Sequence, residues 1–138
     1  MAIRYYAKNT SYRLSEKRKI RSWISKVINT NNKVSGDINI IFTNDEYILE
    51  LNKKFLERDY YTDILTFNYS NKNMISGELY ISMERVMENA EKYKEDIKEE
   101  LKRVIIHGIL HLLGYQDRNK NEKIIMRQME NKYLKMIK

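Results

Sequence analysis

The sequence predicts an α+β fold: a small mixed β-sheet covered by helices, with a metal site on a helix of the C-terminal half and in the turn after it. Three observations predict it. Strand-like runs rich in β-branched and aromatic residues all fall before Ser82, and only amphipathic helical patterns follow it. The helical stretch from Ile97 to Leu113 is apolar nearly all round in its second half, as a helix buried against a sheet must be. The chain's two histidines, His107 and His111, both lie in that stretch.

Taken in order, Ile3 to Tyr6 reads as a short edge strand. Ser15 is placed to cap a helix from Glu16 to about Thr30, with Ile20, Trp23, Ile24 and Val27 on one face. Asn29 to Gly36 is polar and reads as a loop, and Asp37 to Phe42 as a strand. Thr43 or Asn44 caps a helix through Ile48, Leu49, Leu51, Asn52 and Phe55, which Asp59-Tyr60-Tyr61 breaks. Thr62 to Phe67 and Gly77 to Ser82 read as two strands able to pair as a hairpin across a polar turn, Asn68 to Ser76. Met83 to Tyr93, Ile97 to Leu113 and Asn121 to Ile137 read as helices.

The 138 residues, 42% hydrophobic, fit one compact domain spanning 1–138 with a core of its own. The absence of cysteine excludes disulfide scaffolds, thiolate zinc sites and cysteine nucleophiles. Met1-Ala2-Ile3-Arg4-Tyr5-Tyr6 carries charge and aromatics where a secretory signal needs an apolar run, and the apolar runs are too short to span a bilayer. A soluble cytoplasmic protein with no membrane partner is expected. The net charge of +7 fits a polyanionic partner such as RNA, and fits plain solubility equally well. With four glycines and no proline, each glycine is expected to have a backbone role.

His107 and His111 stand four residues apart, so a helix stacks both imidazoles on one face within reach of a single ion. Gly114 lies where a helix ends in a left-handed cap, and the reversal can swing Asp117 back toward the same ion. The spacing H-x-x-x-H-x-x-G-x-x-D matches the metzincin peptidase layout with two changes: Gly108 replaces the catalytic Glu, and Asp117 replaces the third His. Two neutral imidazoles and one carboxylate leave zinc at net +1 with a fourth position open, the pattern of a catalytic rather than a structural site. By spacing alone, two core histidines bonded to carbonyls fit the pattern as well.

His107-Gly108-Ile109-Leu110-His111-Leu112-Leu113-Gly114-Tyr115 resembles the H-G-x-L-H-L-x-G-Y-D-H signature of the YbeY family of bacterial endoribonucleases. Leu51-Asn52 with Thr62-Asp63-Ile64-Leu65-Thr66-Phe67 is similar to that family's L-N…T-D-V-L-S-F segment, and Gly77 to Ile81 to its G-D-I strand. The resemblance runs from about Asp37 to the C-terminus. It implies a zinc-dependent (or other divalent-metal-dependent) endoribonuclease specific for single strands, acting in 16S rRNA 3′-end maturation and ribosome quality control. RNA and the ribosomal small subunit are the implied partners. His107 and His111 are then catalytic, and they and Asp117 hold the metal. Two departures follow. Asp117 stands where the family has a histidine, a harder and anionic ligand. Leu56 stands where the family has an arginine, and Arg58, two residues on, is the candidate to serve instead.

Further candidates surround the trio. Arg103, one turn before His107, is placed either to contact a phosphate or to sit at the surface. Asp63 is placed to orient a ligand histidine or merely to cap its strand. Tyr60, Tyr61 and Tyr115 are placed to stack on bases or to pack. Three rival functions remain: a metallopeptidase, which Gly108 argues against; a non-haem iron oxygenase built on two histidines and a carboxylate; and a non-catalytic RNA-binding ribosome-assembly factor with a structural metal.

Overall fold

The computed structural model describes residues 2–56 and 62–137. In chain order the elements are β1 (Ile3–Ala7), α1 (Lys17–Thr30), β2 (Val34–Thr43), α2 (Asp45–Leu56), β3 (Ile64–Asn68), β4 (Met74–Ser82), α3 (Met83–Lys92), α4 (Ile97–Leu112) and α5 (Lys120–Leu134), then a 3-10 turn, Lys135–Ile137. The sheet order is β1-β2-β4-β3. β1 and β4 each pair parallel with β2, and β3 pairs antiparallel with β4. The mixed sheet and the hairpin expected from the sequence are both present.

Alternation along the strands gives the sheet two unlike faces. Ile38, Ile40 and Phe42 of β2 and Leu79 and Ile81 of β4 are buried on the face covered by α1 and α4. Tyr80 and Phe67 point the other way, where α2 adds Tyr47 and Phe55. These rings follow one another with centroids 6.0, 5.8 and 5.9 Å apart, the last two contacts edge to face. α4 packs on β3 and β4 and also meets α3 and α5. The Trp23 indole N–H donates to the Tyr133 carbonyl at 2.8 Å, which ties α1 to the far end of α5.

Element ends differ from the sequence reading where long-range pairing or local caps decide them. Ser15 does not cap α1: Glu16 takes the cap position in a left-handed conformation, φ +60°, without a side-chain bond to the helix. β2 begins at Val34, inside the expected loop, because Val34 N–H finds the Asn73 carbonyl and the strand pairs from there with β4. The same pairing starts β4 at Met74 and shortens the expected polar turn. Asn44, rather than Thr43, caps α2, its side-chain oxygen accepting Tyr47 N–H at 2.9 Å. α5 starts at Lys120, one residue early, because Asn119 caps it through Glu122 N–H.

Candidate metal centre

Everything in the site depends on how α4 ends. Gly114 has φ +104°. Its N–H donates to the His111 carbonyl and Tyr115 N–H donates to the Leu110 carbonyl, both at 3.0 Å. This paired closure reverses the chain just past a helix end and needs a residue free of a Cβ at the turn. The reversal brings Asp117 Oδ2 to 3.3 Å from His107 Nε2 and 3.5 Å from His111 Nε2. The two Nε2 atoms are 3.0 Å apart. The three residues are the described group of histidines and carboxylates able to hold one ion, and each is half-buried.

The opposite ring nitrogens decide what this triangle can do. His111 Nδ1 lies 3.0 Å from the Tyr115 carbonyl, which only accepts, so that nitrogen carries the proton. His107 Nδ1 lies 2.6 Å from Glu130 Oε2 and donates to it. In the neutral rings both Nε2 lone pairs therefore face each other and the Asp117 carboxylate. Two lone pairs this close repel unless a cation lies between them, either a proton or a metal ion. A tetrahedral ion with bonds of 2.0–2.1 Å needs ligand atoms about 3.3 Å apart, which the three separations match.

Charge around His107 is managed by a residue that sequence reasoning missed. Glu130 is 5% exposed, on the buried face of α5 with Met126 and Tyr133. Its Oε1 accepts from Arg103 at 2.9 Å. Burial pushes the Glu130 carboxyl up, but the His107 and Arg103 hydrogen bonds outweigh it and hold it below the usual range. Burial pulls the His107 imidazole down, yet the Glu130 hydrogen bond, aided by the Glu130, Asp117 and Asp63 charges, lifts it above the ordinary value. His111 ends below it, through burial and then the His107 charge. The missed signal was in the pattern: a glutamate at the middle of an i, i+4, i+7 stripe whose other members are apolar.

Two sequence expectations change accordingly. Arg103 is held by Glu130 and by Asn131 Oδ1 at 3.0 Å, so its guanidinium buttresses the site rather than reaching for phosphate. Asp63 lies at the start of β3, where burial pushes its carboxyl up and the His107 charge opposes that. Glu130 and the Tyr115 carbonyl orient the histidines instead. The Tyr115 ring packs on the core, leaving its carbonyl as the part that serves the site. Arg58, Tyr60 and Tyr61 lie outside the described residues.

The trio opens into a groove of about 500 Å³, with Asp63 and Thr66 along one wall and Asn52 and Leu56 of α2 beyond them. Gln116 and Arg118 flank the metal end, and Arg118 is the one lysine or arginine lining the groove among the described residues. Gly108 points elsewhere: a Cβ there would meet Ile64 Cδ1 at 2.7 Å and the Leu79 methyls at 3.0 Å. α4 lies so close to the sheet that position 108 has no room for a peptidase's glutamate.

The family described as endoribonuclease YbeY matches residues 5–138. The chain is 47% identical to an endoribonuclease YbeY of Parabacteroides distasonis, over 99% of this chain and 96% of that protein. It is 46% identical to one of Bacteroides fragilis, over 100% and 99%. Among solved structures it is similar to the solution structure of a Thermotoga maritima protein, with a TM-score of 0.67 and 28% identity over 99% of this chain and 89% of that one.

Proposed function

This chain belongs to the endoribonuclease YbeY family, and from that premise we propose that it is a cytoplasmic, zinc-dependent endoribonuclease. Its proposed substrate is single-stranded rRNA of the small subunit, cut near the 16S 3′ end in maturation and quality control. One observation supports the metal most: both Nδ1 atoms are committed to fixed acceptors, so both Nε2 lone pairs converge with Asp117 Oδ2 on one point. His107, His111 and Asp117 would hold the ion. Bound there, a divalent ion supplies Lewis acidity toward a phosphoryl oxygen and toward water.

The protein's own groups do the rest. Glu130 and the Tyr115 carbonyl hold the ring protons on Nδ1 and keep the imidazoles from rotating. Thr62, Asp63, Thr66 and the Gln116 amide are the polar groups that would face the strand in the groove. Arg58 is proposed to supply the phosphate contact that Leu56 cannot. Gly108, pressed on Ile64, offers no general base, which favours phosphodiester over peptide hydrolysis.

The test is metal content and RNA cleavage of wild type, His111→Ala and Asp117→Ala, purified without chelators. One zinc per wild-type chain, lost with cleavage in both variants, is expected. Cleavage of RNA by a folded, zinc-free His111→Ala protein would leave the metal a structural role only. The product ends identify the nucleophile: a 2′,3′-cyclic phosphate marks attack by the 2′-hydroxyl, a 5′-phosphate attack by water.

A further inference from the structure

The chain's positive charge is gathered toward its two ends: residues 1–33 hold nine lysines and arginines against one glutamate, and a second run lies in and around α5. From Arg118 to the C-terminus there are seven lysines and arginines against two glutamates, a net +5. Of the cations on the outer face of α5, only Arg127 meets a glutamate among the described residues, its Nη1 lying 3.7 Å from Glu130 Oε1. Glu130 is buried beneath that face on His107 and Arg103, and Glu122 is taken by Arg118. Lys120, Lys123 and Arg127 are exposed and recur at i, i+3 and i+7, so they form one stripe about 10 Å long.

This stripe is continuous with the metal groove. Lys120, Lys123, Ile124 and Arg127 line a shallow trough of about 480 Å³ whose end residue is Arg118. Arg118 also lines the metal groove, so one side chain is the hinge between the two depressions. Glu122 holds it there in a two-point grip, accepting from Nε at 3.2 Å and from Nη2 at 3.0 Å. Ile124, 48% exposed, gives the trough an apolar floor among the cations.

We infer that the outer face of α5 is an RNA-strand track: Arg118, Lys120, Lys123 and Arg127 hold the phosphates of the strand flanking the cleaved bond, on the α5 side of the metal. The inference rests on RNA being the substrate. Cations at helical spacing suit a polyanion, since each neutralised phosphate releases counterions without any demand on base identity. An apolar side chain between cations suits a strand whose bases are unpaired and need surface to lie on. The track therefore sets the length of strand that the protein prefers, and leaves sequence preference to the groove.

The test uses the full chain loaded with zinc and nuclease-resistant 2′-O-methyl phosphorothioate strands of about four and twelve nucleotides. Binding is followed by fluorescence anisotropy over a range of salt. The Lys120→Ala/Lys123→Ala/Arg127→Ala protein is compared with Arg18→Ala/Lys19→Ala/Lys26→Ala, which removes equal charge from α1. Losing three contacts should flatten the slope of log affinity against log salt by about 2 for the longer strand. The short strand, filling only the metal groove, should bind both variants as it binds wild type. Equal losses from the α1 and α5 variants, or an unchanged slope for the α5 variant, would overturn the track. Wild-type protein that cleaves RNA while the α5 variant shows no deficit sinks the track alone; wild-type protein that neither binds nor cleaves RNA sinks the substrate reading beneath it.

Discussion

Replacing Glu130 by glutamine keeps the shape of a buried side chain and removes its charge. Glu130 accepts with both oxygens, Oε1 from Arg103 and Oε2 from His107. Glutamine has one acceptor oxygen, and its amide nitrogen only donates. If the oxygen stays with Arg103, the amide N–H₂ faces His107 Nδ1, and the ring proton must move to Nε2, the atom that faces Asp117. If the oxygen stays with His107, a donor faces the Arg103 guanidinium, which is 27% exposed and can turn to water. The second arrangement costs less, so part of the population keeps a usable ring. Removing an orienting partner of this kind weakens metal binding about 10–100-fold, or about 1.4–2.7 kcal/mol. A second effect opposes it: Glu130 is what lifts the His107 pKa, so the variant suffers less proton competition. That term vanishes above the raised His107 pKa, so the comparison is made on the high-pH plateau, where zinc affinity no longer changes with pH. Zinc affinity is read by competition with a chromophoric chelator, and folding of the metal-free protein by urea denaturation. Glu130→Gln should bind zinc about 10–100-fold more weakly and Glu130→Ala more weakly still. Zinc affinity within about twofold of wild type in a folded Glu130→Gln protein would refute the orienting role.

Two glycine substitutions test the frame of the site, and changes of pH test its protons. Gly108→Ala drives a methyl group against Ile64 and Leu79; overpacking costs about 1–3 kcal/mol and helix propensity returns about 1, so the melting temperature should fall by a few degrees with zinc stoichiometry kept. Gly114→Ala meets strain at φ +104° and also moves the turn that carries Tyr115 and Asp117, so melting temperature and zinc affinity should fall together. The metal-free protein should show a pH optimum from the His107–Glu130 pair. The raised His107 pKa contributes stability in full below 6.5, lost as pH rises through its folded value. The lowered Glu130 pKa contributes above 4.5, lost as pH falls through its folded value. Urea unfolding between these limits should give the greatest pair contribution, absent in Glu130→Gln. Zinc displaces the His107 proton, so its affinity should climb with pH through the range above 6.5 and then level off, with proton release measurable by calorimetry in two buffers.

What the sequence carried was local. The i, i+4 histidines, Gly114 and Asp117 lie within eleven residues, and helix pitch plus one left-handed turn place them without help from the rest of the chain. Asn44, one of the two caps the sequence offers for α2, acts through a contact three residues away. What it did not carry was long-range. Glu130 meets His107 across 23 residues, and only the packing of α5 on α4 makes that contact. Val34 reads as loop by composition and is strand because β4 lies beside it. Arg103 looked free because its partners, Glu130 and Asn131, are on another helix. Gly108 read as a missing catalytic residue; in the fold it is a spacing residue under the sheet.

Asp117 sets the charge of the centre, and that connects the altered ligand to the altered groove. Two neutral imidazoles and a carboxylate bring a divalent ion to +1, where the family's three histidines would leave +2. A phosphodiester in the groove would be drawn less strongly to the former, and position 56 of the wall carries an uncharged leucine. Arg118 and the α5 stripe lie where that attraction can be restored. Asp117→His tests the argument. One unit of charge about 5 Å away, in an effective dielectric of about 40–80, amounts to about 1 kcal/mol, or roughly fivefold in binding. The variant should keep one zinc per chain with weaker affinity, because a neutral ligand attracts the cation less. With zinc saturating, kcat/KM for RNA should rise about fivefold at low salt, and the gain should shrink as salt screens the half-exposed site. The rise should be larger in the Arg118→Ala background, where the wall offers less compensation. A zinc-loaded Asp117→His protein whose kcat/KM falls at every salt concentration would mean that the carboxylate acts in the chemistry itself, and the charge argument would be wrong.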